Sequence, residues 1–91
     1  MDKIILEGFG SVDQGAIEIA QKMCDHSLEK LAAVYAIKAT IVRLVPGTSF
    51  ELELESIYKG RPFRTESQHK NLFIATHNLF EKFQKLLAGL G

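Results

Sequence analysis

The sequence predicts an α+β fold: a two-layer βαβββα sandwich in which a four-stranded sheet carries two helices on one face. Three observations predict it. A long helical pattern ends near Tyr35–Ala36. Three short strand-like runs follow, Lys38–Val45, Phe50–Tyr58 and Arg61–Ser67. A second amphipathic helix, Leu72–Leu87, comes after them, and the apolar run Ile4-Ile5-Leu6 supplies the opening strand.

In the opening strand, Ile4 and Leu6 point one way, Ile5 and Glu7 the other. Gly8-Phe9-Gly10 breaks it. Either Ser11 or Asp13 can cap the next helix, and Ser11-Val12-Asp13-Gln14 fits a capping box. Asp13 also suits the positive end of the helix dipole. The first helix has a period near 3.6. Ala16, Ile17, Ala20, Met23, Cys24, Ser27, Leu28, Leu31, Val34 and Tyr35 form its apolar side, and Glu18, Lys22, Asp25, Glu29 and Ala33 its polar side. The many small residues on the apolar side predict a close approach to the sheet.

The second strand alternates Thr40, Val42 and Leu44 with Ile41, Arg43 and Val45. Both sets are largely apolar, which predicts a central strand. Pro46-Gly47 reads as a type II turn. Phe50, Leu52 and Leu54 then alternate with Glu51, Glu53 and Glu55, giving a half-buried antiparallel strand with an acidic open face. Lys59-Gly60 makes the next hairpin, with glycine in the left-handed position and lysine less well suited beside it. Phe63 and Thr65 continue the inner face of the last strand, and Pro62, which lacks an N–H, favours an edge. Asn71 is the expected cap of the second helix. Leu72, Thr76, Leu79, Phe80, Phe83, Leu86 and Leu87 line its inner side, and Gly89 is expected to end it.

The 91 residues read as a single domain, 1–91. Eleven basic residues balance eleven acidic ones, which argues against strong non-specific nucleic-acid binding but allows a local basic patch. One cysteine permits no internal disulfide and favours a reducing compartment. No apolar stretch reaches the roughly 20 residues of a membrane span. The N-terminal residues lack a secretory pattern, so a cytoplasmic protein without membrane contact is expected.

Residues that could carry chemistry read mostly as structure. Cys24 sits on the apolar side of the first helix and reads as a small core hydrophobe. His26, His69 and His77 match no compact metal-ligand spacing and read as surface histidines. Glu51, Glu53 and Glu55 are about 7 Å apart along one strand face, a poor cage for a cation. They read as a solvated face paired with Arg43 and Arg64 on neighbouring strands. No enzyme, cofactor or metal is expected. Lys59, Arg61, Arg64, His69 and Lys70 remain, spanning the last hairpin, the edge strand and the approach to the second helix. Such a cluster can meet phosphate near a helix N-terminus, or simply solubilise and protect a sheet edge.

The element order and several local patterns resemble the short ribosome hibernation-promoting factors, also called ribosome-associated inhibitors or sigma-54 modulation proteins. The resemblance covers nearly the whole chain and is diffuse. It rests on Ile4-Ile5-Leu6-Glu7-Gly8, on Leu28-Glu29-Lys30-Leu31 near the end of a long helix, and on the strand Lys38–Leu44. It rests further on Phe50–Leu54, the hairpin Lys59-Gly60-Arg61, the strand Phe63–Ser67 and the helix start Asn71-Leu72-Phe73-Ile74-Ala75-Thr76. The family typically opens that helix with an acidic residue, an aliphatic one, a tyrosine and small residues, and Asn71, Leu72, Phe73 and Ala75 resemble divergent versions of them.

The resemblance implies binding to the small ribosomal subunit and its rRNA, in the groove used by mRNA and tRNA, with translation blocked in the resting cell. The expected rRNA-binding residues are Lys59, Arg61, Arg64 and Lys70. The family also carries basic residues along its long helices and a basic tail. Here the first helix offers Lys22 and Lys30 among acids, and Leu86–Gly91 holds no cation. Ribosome affinity is therefore expected to be weakened, moved to Arg61, Arg64 and Lys70, or lost. The alternative is a small protein-interaction module on the same fold, without RNA contact.

Overall fold

The structure, a computed structural model, describes residues 4–45 and 47–90. Its elements follow the expected order: β1 (Ile5–Glu7), α1 (Gln14–Ala32), β2 (Ile37–Val45), β3 (Phe50–Tyr58), β4 (Arg61–His69) and α2 (Leu72–Leu90). The sheet order is β1-β2-β3-β4, so β2 is central and β4 lies at an edge, as its alternation and Pro62 predict. β1 pairs parallel with β2, with α1 as the crossover between them, and the remaining pairs are antiparallel.

The two-residue period sorts side chains to two faces. Thr40, Val42, Leu44, Leu52, Leu54, Ser56, Tyr58 and Ser67 are buried on the face covered by both helices, where they meet Leu79, Phe80, Phe83 and Leu87 of α2 and Ala20, Cys24, Leu28 and Leu31 of α1. Phe83, Leu52 and Leu54 are fully buried and form the centre of the core. The other face carries Glu7, Arg43, Glu53, Glu55 and Arg64, and no helix covers it.

The ends of the elements follow local chemistry. Asp13, one of the two caps open on sequence, starts α1: its Oδ2 accepts from the Ala16 N–H at 3.3 Å, so the capping box at Ser11 does not form. Asn71 caps α2 as expected, its Oδ1 accepting from the N–H groups of Phe73 (2.8 Å) and Ile74 (3.2 Å). Gly8 has φ +79°, and a Cβ there would lie 2.5 Å from the Leu44 carbonyl oxygen, so the turn out of β1 needs glycine on two counts. Lys59 and Gly60 both have positive φ, 54° and 74°, and form a type I′ turn closed by the Tyr58–Arg61 pair. Pro46, the first residue of the expected type II turn, lies outside the described residues.

Four expectations are corrected. α1 ends at Ala32, not near Tyr35–Ala36. Val34 is 74% exposed, and Tyr35 turns away to pack edge-on against Tyr58, with ring centroids 5.7 Å apart. The cause is the pairing of Ile37 with Tyr58, which draws the chain out of the helix before the apolar period runs out. α2 continues past Gly89 to Leu90, and Leu86 is partly exposed rather than part of the inner side. The helix closest to the strands is α2, not α1. Ala75 rests on β4, and Ser67 Oγ donates to its carbonyl at 2.7 Å, so small groups at the contact bring this helix down, while α1 approaches α2 more than any strand.

β2 also carries a bulge that its sequence does not announce. The register shifts between Lys38 and Ile41, and Ala39 takes φ 53°, a left-handed conformation that costs an alanine about 1–2 kcal/mol. Ser56, buried where the alternation calls for an apolar residue, donates to the Lys38 carbonyl at 3.1 Å. Its hydroxyl also lies 2.9 Å from that of Thr40. The serine thereby satisfies a carbonyl that the disrupted ladder leaves short.

Candidate functional site

The four expected contact residues lie along β4 and its two ends. Lys59 occupies the tip of the β3–β4 hairpin, and its Nζ sits 5.3 Å from the centroid of the Tyr58 ring, a cation–π contact that lays the side chain back over the aromatic. Arg61 begins β4 two residues later and is exposed. These two form one pair of cations. Lys70 lies beyond the far end of β4, nine residues on and roughly 30 Å away at the rise of a strand. His69, between them, is the last residue of β4 rather than part of the loop. Its Nδ1 accepts from the Asn71 N–H at 2.9 Å and so helps fold the turn into α2.

Arg64 stands apart from both ends. Its guanidinium donates to the Glu53 carboxylate across the β3–β4 ladder. Glu53 is shared: Arg43 reaches it from the other side at 3.4 Å and also pairs with Glu7 at 3.2 Å and Glu55 at 3.5 Å. The Glu7 hydrogen bond, then the Glu55 charge, raise the pKa of Arg43 above its ordinary value. The expected pairing of the acidic face with Arg43 and Arg64 is thus present. It also means that Arg64 is not a cation without a matching acid. Its charge is already partly balanced, whereas Lys59, Arg61 and Lys70 have no acidic partner among the described residues.

Lys70 belongs to a second feature that the sequence does not reveal. An open groove of about 610 Å³ runs between the N-terminal ends of α1 and α2 and the β2–β3 connection. Val12, Ala16, Leu44, Phe50 and Phe73 supply much of its lining, and Lys70 contributes its charge. These residues are distant in sequence, and only the packing of the two helix starts over the same end of the sheet unites them.

Cys24 is 1% exposed in the core, and its burial, with Asp25 adjacent, pushes the thiol up to about 12. His77 pairs with Glu81 at 3.4 Å on the surface of α2. Among the described residues no three His, Cys, Asp or Glu side chains converge where they could hold a metal ion. No helix of the described residues is long and apolar enough to cross a membrane.

The geometry defines a βαβββα sandwich with a charged open sheet face and a cationic edge strand. Solved structures share this fold over their whole length. A ribosomal subunit interface protein from Coxiella burnetii matches with a TM-score of 0.71 at 13% identity, covering 98% of this chain and 97% of that one. The N-terminal domain of Thermus thermophilus Protein Y matches with a TM-score of 0.73 at 13% identity, covering 100% of both chains. No family model and no curated protein sequence matches the chain.

Proposed function

We propose that the protein is a non-catalytic, cytoplasmic ribosome-associated regulator that binds the small ribosomal subunit and occludes translation, without a cofactor. The observation that carries this reading is the end-to-end fold match to a protein described as a ribosomal subunit interface protein. The resemblance of the sequence to hibernation-promoting factors points the same way. Contact with rRNA phosphate runs through Lys59, Arg61, Arg64 and Lys70. Lys59 and Arg61 lead at the hairpin tip because their charges are free, and Arg64 contributes less because Glu53 holds it. With so few cations the affinity is modest and strongly salt-dependent, each lost phosphate contact lowering the salt slope by about one.

Co-sedimentation with small subunits at low and physiological salt tests this. Wild type should pellet with subunits at low salt, and Arg61→Glu/Arg64→Glu should not. A wild type that stays in the supernatant at low salt removes the ribosome reading. A double variant that pellets like wild type keeps the ribosome and discards this surface.

One observation favours a second reading, a protein-interaction module without RNA contact. The open sheet face is predominantly acidic, with Glu7, Glu51, Glu53, Glu55 and Glu66 against Lys38, Arg43 and Arg64, and would disfavour a phosphate backbone. Failure of ribosome binding at low salt promotes this reading.

A further inference from the structure

β4 ends the sheet, and its outer edge pairs with no strand among the described residues. The β3–β4 register decides which of its backbone groups are free. Tyr58 and Arg61 close a two-residue type I′ turn and so form a hydrogen-bonded pair, and such pairs alternate along an antiparallel ladder. Arg61, Phe63, Thr65, Ser67 and His69 therefore turn N–H and C=O toward β3. Pro62, Arg64, Glu66 and Gln68 turn theirs outward. Two observations agree with this parity. Pro62, which has no N–H, falls in the outward set. The Glu66 carbonyl accepts a 3.0 Å hydrogen bond from Lys82 Nζ, which reaches it from α2.

We propose that this edge is a homodimer interface: two copies pair antiparallel through β4 about a two-fold axis at Thr65, joining four strands and four into one sheet of eight. The proposal goes beyond the ribosome reading and does not depend on it. Thr65 is the middle residue of the nine in β4, so this centre gives the longest overlap. It sets Arg64 opposite Glu66 of the second copy, twice, with outward-facing backbone groups meeting on both sides. A centre at Arg64 would oppose two arginines, and one at Glu66 two glutamates, so charge selects the register.

Glu66 needs such a partner. It stands directly across the ladder from Glu53, a like charge. Its own neighbour Arg64 reaches for Glu53, and among the described residues no cation pairs with the Glu66 carboxylate. Arg64 of the second copy supplies the missing charge.

The helix above the edge is self-complementary too. Ile74, Asn78, Lys82 and Leu86 are spaced by four along one side of α2, and the Lys82 bond to Glu66 fixes that side toward the β4 edge. Ile74 is 43% exposed and Leu86 36%. α2 runs back along β4 from the Ser67–Ala75 contact. At about 1.5 Å per helical residue against about 3.3 Å per strand residue, Ile74 stands near the level of Ser67 and Leu86 near that of Pro62. The two-fold at Thr65 brings Ile74 opposite Leu86 of the second copy. Because α2 lies over β3 and β4, the two helices would stand about two strand spacings apart, roughly 10 Å, an ordinary packing distance.

Lys82 keeps the association weak. In the monomer it holds the Glu66 carbonyl that must accept the Arg64 N–H of the second copy, so it must swing away first. The dimer also encloses Arg64 and withdraws it from any phosphate contact.

Sedimentation velocity of the purified protein, without ribosomes, from low-micromolar to several-hundred-micromolar concentration tests this. Wild type should shift to twice the monomer mass as concentration rises. Arg64→Glu and Glu66→Arg should each stay monomeric, since each opposes like charges, and an equimolar mixture of the two should restore a one-to-one heterodimer. Lys82→Ala should lower the dissociation constant about thirtyfold, the worth of two hydrogen bonds, since one is given up in each copy. Ile74→Glu/Leu86→Glu should abolish the dimer while leaving far-UV circular dichroism unchanged. A wild type monomeric throughout, or a variant pair that fails to rescue in mixture, overturns the proposal. Sedimentation velocity is run without ribosomes, and Glu66→Arg or Ile74→Glu/Leu86→Glu alters no residue of the rRNA surface, so the two readings fail separately.

Discussion

On the helix-covered face of the sheet, Val42, Leu52 and Leu54 are sealed from water. Their neighbours in the chain, Arg43, Glu53 and Glu55, exchange ion pairs in solvent on the open face. Residues one position apart thus live under different physics. The inner face gains from apolar burial, which is non-directional and insensitive to salt, and its few polar groups are all partnered: among the described residues no buried side-chain polar atom lacks a hydrogen bond. The open face gains little from its salt bridges, which are screened and side-chain dependent, but it keeps a charge pattern that a partner can read. The lesson is a division of labour. The inner face makes the fold, and the open face with its β4 edge stays with solvent.

Substitutions can break this contrast or sharpen it. The largest effect belongs to the inner face. Phe83→Ala should destabilise by about 3–5 kcal/mol in urea unfolding, because its ring is wholly enclosed between helix and sheet. A loss under about 1 kcal/mol would mean that the core does not close over that position.

Cys24 gives the next largest signal. Its thiol titrates at about 12 in the folded protein against an ordinary 9.0, so the unfolded chain ionises first as pH rises. The thiol's contribution is fully present below pH 9.0 and is lost progressively from there to about 12, at about 1.4 kcal/mol per pH unit. Cys24→Ala should therefore show a shallower alkaline decline than wild type, and equal slopes would place the thiol in contact with water. Native Cys24 should also resist thiol reagents.

Asn71→Ala should cost about 1 kcal/mol, since two N–H groups of α2 lose their acceptor, while Asn71→Asp should restore most of it. The smallest change is expected on the open face. Arg43→Ala should shift stability far less than Phe83→Ala despite removing three ion pairs, and the shift should shrink with added salt. A loss as large as that of Phe83→Ala would erase the distinction between the two faces.

Much of this was legible in the residues themselves. Alternation at Thr40–Val45 and Phe50–Glu55 determined which side chains enter the core, because a strand's period of two admits no other sorting. Asn71 marked the start of α2, Pro62 marked an edge, and Lys59-Gly60 marked a hairpin, since each acts through its own backbone chemistry. What the tertiary structure decided are the places where elements compete or converge. The apolar period of α1 runs on through Val34 and Tyr35, yet pairing of Ile37 with Tyr58 ends the helix first. Small residues on α1 promised a close approach, but Ala75 against Ser67 gave it to α2. The cations of the candidate surface are near one another in sequence, but an extended strand separates Arg61 from Lys70 and hands Arg64 to Glu53. Local propensity acts over a few residues and can be read from them. Distances between elements depend on what packs between them, and only the folded chain determines that.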